Sequence, residues 1–248
     1  MTAETSRERT FRFLSAESKK RIGGAAAISL ARMAPEAVLY LHGFASSPKG
    51  RKVTLLTERL GPAGFRVAAP DLNRPSFERL DFEAMVEAAL AQAAEAPPCV
   101  VVGSSLGALV ALSAARRGIR APLCLIAPAL GLAGRWTENL PRGEMLSFFH
   151  HGDGRELPIH RKFFEQMAGL AADLEPPAER VTVVMGRRDE SVPFALVEAV
   201  WCEWVASGKL PAGARFVEIP EGDHGLVDSV GLIGEEIVAL AKESLPLG

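Results

Sequence analysis

Residues 99–118 read CVVVGSSLGALVALSAARRG, and the fold follows from them. Cys99 to Val102 is a short apolar, mostly β-branched run, the pattern of a strand buried on both faces of a parallel sheet. From Leu106 to Arg117 the chain is rich in the helix formers Ala and Leu, with two arginines in the last turn and Gly118 where a left-handed cap belongs. Between these segments lies Gly103-Ser104-Ser105-Leu106-Gly107, a G-x-S-x-G match in the strand-to-helix setting of a nucleophile elbow. Ser105 sits at its apex. Glycines at 103 and 107 leave room for the departing helix to pass the strand, and the helix N-terminus directs N–H groups and its positive dipole end toward the space beside Ser105. Gly and Ser also dominate ordinary tight turns; the strand before and the helix after favour the chemical reading.

The rest of the chain supplies matching elements. An apolar strand at Ala37 to Leu41 runs into the loop His42 to Gly50, followed by a helix to about Leu60, a strand at Phe65 to Ala69 and an amphipathic helix from Asp81 to Glu95. A strand at Leu123 to Ala127 follows the Ser105 helix. Later come a strand at Val181 to Met185, a helix from about Pro193 to Ser207, a strand at Arg215 to Ile219 and a final helix ending near Glu243. Strands alternating with helices predict an α/β protein with a mostly parallel sheet, helices on both faces and ligand sites at the carboxyl ends of the strands. Two opening strands are expected at residues 10–15 and 25–31. Residues 128–178 break the rhythm, with Trp136 and four phenylalanines around His151-Gly152-Asp153-Gly154; helices over roughly 134–149 and 159–174 predict a small helical lid. Nothing resembles a linker, so 1–248 reads as one domain with that insertion.

Composition narrows the function. Of 248 residues, 48% are hydrophobic and 23% charged, ordinary values for a globular protein. A net charge of −2 gives no electrostatic footprint for nucleic acid. No signal-peptide apolar region and no run of ~18 apolar residues is present, so a cytoplasmic location is expected. Cys99, Cys124 and Cys202 are expected to be reduced and buried.

A serine nucleophile needs a base, and the base needs a third group to hold it. In this topology the order is serine, acid, histidine, each partner on a loop after a later strand. Asp189, in GRRDESVP (186–193), is placed to be the acid, with Glu190 and Asp223 weaker alternatives; His224, in PEGDHG (220–225), is placed to be the base. The N–H groups of Phe44 and Leu106 are the expected oxyanion donors. His42 reads as a structural hydrogen-bonder, and Ser46 and Ser47 as braces of their loop or caps of the next helix. His150, His151 and His160 lack carboxylates at ligand spacing, so no metal is expected, and the elbow matches no phosphate-binding motif.

With these residues placed, the chain resembles the serine α/β-hydrolase superfamily. The stretches YLHGFASSPKGRK (40–52), PDLNRPSF (70–77), VVGSSLGALVAL (101–112), GRRDESVP and GDHGL (222–226) are similar to the small YqiA/YcfP-like esterases and palmitoyl-thioesterase-like hydrolases. The resemblance implies an α/β-hydrolase fold, a Ser105, Asp189, His224 triad, an oxyanion hole at Phe44 and Leu106, and a small-molecule ester or thioester substrate, with no cofactor. Ala108 and the long 128–178 segment depart from the pattern, and the second bears on substrate identity. Acyl transfer or perhydrolysis would use the same triad, and a hydrolase-fold binding protein would use none of it.

Overall fold

The computed structural model describes residues 36–132, 135–138, 140–170, 175 and 179–244. The strands expected at 10–15 and 25–31 lie outside the described residues. In chain order the elements are β1 (Glu36–Leu41), α1 (Arg51–Leu60), β2 (Phe65–Ala68), α2 (Phe82–Glu95), β3 (Val100–Ser104), α3 (Leu106–Arg116), β4 (Leu123–Ile126), β5 (Met145–His150), β6 (Arg155–His160), α4 (Lys162–Leu170), β7 (Val181–Gly186), α5 (Phe194–Ala206), β8 (Arg215–Ile219) and α6 (Val230–Ser244).

Six strands form one sheet in the order β2-β1-β3-β4-β7-β8, every neighbouring pair parallel. Val100 to Ser104, Leu123 to Ile126 and Val181 to Gly186 are buried throughout, which explains their unbroken apolar runs: a central parallel strand meets helices on both sides. The chain moves one way from β1 to β2, then reverses to reach β3 on the far side of β1. With right-handed crossovers this reversal puts α1 on one face and α2, α3 and α5 on the other. The packing agrees, since α2 lies against α3 and α1 against α6. Between β1 and β3 the loops leave in opposite directions, which opens a crevice at the carboxyl ends of the strands.

The segment between β4 and β7 is not the pair of helices its sequence suggests. Met145–His150 and Arg155–His160 form an antiparallel hairpin, and the α-helix among the segment's described residues is Lys162–Leu170. The turn at 151–154 was legible, but its flanks are six-residue strands, too short for their alternation to outweigh the helix-like apolar spacing. This hairpin and helix form a cap tied down by polar contacts. The His151 N–H donates to Ala45 O (2.7 Å) and the His160 N–H to Glu78 O (2.8 Å). Gln166 on α4 accepts from the Phe82 N–H and donates to Asp81 Oδ2, while Asp81 Oδ1 caps α2 by accepting from the Ala84 N–H. The cap's aromatic residues are largely its own core: Phe163 and Phe164 are buried, and only Phe149 stands well exposed.

Candidate active site

Ser105 follows β3 directly, with φ 54° and ψ −116°, a backbone conformation that side chains rarely adopt. The bend is held on both sides. The Ser105 N–H donates to Ile126 O, and its carbonyl accepts from the Ala108 and Ala129 N–H groups. Both flanking glycines are required by close approach. A Cβ at Gly103 would stand 2.6 Å from Ala108 Cα, and one at Gly107 2.6 Å from the carbonyl carbon of Leu41. The β1 loop, β3 and α3 therefore meet nearly backbone to backbone. Gly43, next in that loop, faces the nucleophile candidate: a Cβ there would lie 3.2 Å from Ser105 Cβ and 3.8 Å from its Oγ.

The structure brings Asp189 and His224 together. Asp189 Oδ2 is 2.8 Å from His224 Nδ1, and Asp189 Oδ1 accepts from the Ser191 and Val192 N–H groups at 2.9 and 2.8 Å. Its carboxylate is fully covered, whereas the imidazole is about one-third exposed. The loops that carry them are locked at their bases. The Arg187 N–H donates to Ile219 O and the Arg188 N–H to Gly222 O, and a Cβ on Gly186 would meet the Gly222 carbonyl carbon at 2.6 Å. The weaker acid candidates are placed elsewhere: Glu190 is exposed, and Asp223 Oδ1 accepts the Leu226 N–H within its own turn.

Ser105 and His224 line one cavity of about 380 Å³, together with Gly43, Phe44, Ser46, His151 and Ser191. Leu106 is the first residue of α3, so its N–H has no intrahelical acceptor. The Phe44 ring turns away from solvent into a cluster with Phe77, Phe148, Phe163 and Phe164, centroids 5.3 to 5.9 Å apart. The ring thus pins the β1 loop to the cap. His42 is buried; its Nε2 accepts from the Leu72 N–H at 2.9 Å, and Nδ1 lies 3.0 Å from Gly43 O. Those two contacts hold the ring within its loop in a structural role. Ser47 braces the loop by accepting the Lys49 N–H, but neither it nor Ser46 caps α1, whose N-cap residue is Gly50 and which has no side-chain cap.

Three cavity residues escaped the sequence reading. Lys52 Nζ donates to Ser104 Oγ at 2.9 Å, and the Tyr40 phenol lies beside the Ser104 side chain. All three line the cavity. Burial lowers the Lys52 pKa to about 8, against the opposing pull of the negative charges on Asp189 and Asp223, and burial raises the Tyr40 phenol far above its ordinary range. Nothing in KGRK distinguishes this lysine from solvated ones.

Among the described residues no three His, Cys, Asp or Glu side chains gather at metal-ligand spacing, and no described helix is long and apolar enough to cross a membrane. Cys124 is buried and Cys99 partly so, but Cys202 is exposed, contrary to expectation.

The sheet order, the crevice between the β1 and β3 loops and the elbow at Ser105 define an α/β-hydrolase fold. The profile of the uncharacterised protein family UPF0227 matches residues 37–207, and the chain belongs to that family. No curated protein matches it in sequence. Solved structures of the same fold include the mouse alpha/beta hydrolase domain-containing protein 10 (18% identity, 84% of this chain and 90% of that one, TM-score 0.65). Others are Est1E from Butyrivibrio proteoclasticus (20%, 86% and 89%, 0.65) and the esterase domain of a Rhodothermus marinus protein (18%, 84% and 87%, 0.61).

Proposed function

We propose that the protein is a serine hydrolase that cleaves a small carboxylic ester or thioester through an acyl-enzyme. Ser105 Oγ attacks the carbonyl carbon and His224 takes its proton, later returning it to the leaving group. Asp189 holds the imidazole with Nδ1 protonated, which leaves Nε2 free to act as base. The N–H groups of Phe44 and Leu106 receive the oxyanion, and a water molecule then releases the acid.

The observation that carries this reading is the 2.8 Å contact between a fully covered Asp189 carboxylate and His224, in a cavity that Ser105 also lines. Both backbone N–H groups go to Oδ1, so the covered Oδ2 has the imidazole as its partner, and that contact fixes the orientation of the ring. The strained backbone of Ser105 supports the same reading, since such strain concentrates at functional positions. The esterase names of Est1E and the Rhodothermus marinus domain agree with it.

The test is covalent labelling of the intact chain with a fluorophosphonate probe, the adduct located by peptide mass spectrometry. Modification of Ser105, absent after prior inactivation with phenylmethylsulfonyl fluoride, is the expected result. Folded protein that takes up no probe, or takes it up elsewhere, contradicts the proposal.

A further inference from the structure

The cation in the cavity has no part in the acyl-transfer steps. An ammonium offers three donors, and Lys52 gives one to Ser104 Oγ. Among the described residues no carboxylate comes within 4 Å of it. Lys52 is half-buried, with the negative charges of Asp189 and Asp223 acting on it without direct contact; a cation held partly out of water with no ion pair works against folding, and a methionine of similar length would fill the space without that cost. The remaining donors belong to a side chain that lines the same cavity as Ser105.

We infer that Lys52 is a specificity-determining residue whose ammonium receives a carboxylate carried on the acyl part of the substrate, so that the preferred esters are short monoesters of dicarboxylic acids. The inference rests on the hydrolase reading above. Its acyl side follows from the sheet order. His224 approaches from β8, on one flank of Ser105, and the leaving group must lie within its reach to be protonated. Lys52 comes from α1, which follows the loop after β1, and β1 lies on the opposite side of β3 from β8 in the sheet. Its chain length follows from volume: about 380 Å³ sits near the lower end of the ~300–1,000 Å³ usual for ligand cavities. The walls here are Tyr40, Ser46, Ser104 and Lys52 rather than an aliphatic tunnel.

The experiment compares monoethyl succinate with ethyl levulinate, which has the same chain length but a methyl ketone in place of the carboxylate. Hydrolysis by the full chain is followed by pH-stat at pH 7. The wild type should favour the succinate ester at least tenfold in kcat/KM. Lys52→Met should reduce that ratio at least tenfold, while Lys52→Arg retains more of it. A wild-type ratio at or below one overturns the inference without any variant, and so does a Lys52→Met ratio equal to the wild type's. Lys52→Gln serves in place of Lys52→Met if the latter does not fold. Fluorophosphonate labelling separates the two levels. A chain that labels at Ser105 yet shows no preference for the succinate ester overturns this inference alone; one that neither labels nor turns over either ester overturns the hydrolase reading and the inference with it.

Discussion

Asp189 and His224 are 35 residues apart in sequence, yet Asp189 Oδ2 stands 2.8 Å from His224 Nδ1. The contact exists because β7 and β8 are adjacent and parallel, and because Gly186 and Gly222 let the two following loops touch backbone to backbone. Asp189→Asn removes the charge and presents an amide that can favour the wrong tautomer of the ring. kcat/KM on p-nitrophenyl butyrate should fall on the order of 10³–10⁴-fold, whereas Glu190→Gln, at an exposed neighbour, should cost less than about threefold. Equal losses in the two variants would mean that Asp189 is not the acid.

The glycines around Ser105 divide by function. At Gly107 an added Cβ would run into the Leu41 and His42 carbonyls, so Gly107→Ala should destabilise the fold by more than about 4 kcal/mol and yield little soluble protein. At Gly43 the nearest atom is Ser105 Cβ at 3.2 Å, a contact that a small loop displacement relieves. Gly43→Ala should therefore keep its circular dichroism spectrum and lose on the order of 10²-fold in kcat, as expected when one oxyanion donor moves.

Phe44 couples that loop to the cap. Its ring packs against rings from β5 and α4 and against Phe77. Phe44→Ala leaves the backbone N–H in the sequence but empties the centre of the cluster, and should lower stability to urea unfolding by about 3 kcal/mol. Activity should fall together with stability. A variant as stable as the wild type would show that the cap does not depend on this ring.

The fold and the Ser105, Asp189 and His224 positions were legible because each sits in a short polar motif just beyond an apolar strand run, and parallel sheets gather such ends on one rim. The cap was not legible. Leu146 and His150 are buried on one face of β5, while Met145 and Phe149 point outward; six residues of alternation beside a Gly-rich turn look much like one side of a helix. Lys52 was invisible for a different reason. Only the fold, which brings Lys52 on α1 to Ser104 at the end of β3, gives it that partner, and local sequence carries no trace of that contact.

The lowered pKa of Lys52 gives the substrate preference a pH signature. Burial brings it to about 8, with Asp189 and Asp223 opposing the shift; Tyr40, His151 and His224 share the same cavity wall. Below pH 8 the side chain is an ammonium, and as pH rises through that value it becomes an amine and can no longer pair with a carboxylate. The ratio of kcat/KM for monoethyl succinate to that for ethyl levulinate should thus decline several-fold between pH 7 and 9.5. Taking the ratio cancels rate changes common to both esters. A ratio that stays level, or climbs, would separate the preference from Lys52.

Steady-state hydrolysis of p-nitrophenyl butyrate by wild type and Ser105→Ala at matched fold content decides whether Ser105 is the nucleophile. The Ser105→Ala protein should lose on the order of 10⁴–10⁶-fold in kcat, with unchanged circular dichroism and thermal midpoint. A folded Ser105→Ala protein that turns over the ester at the wild-type rate would contradict that role.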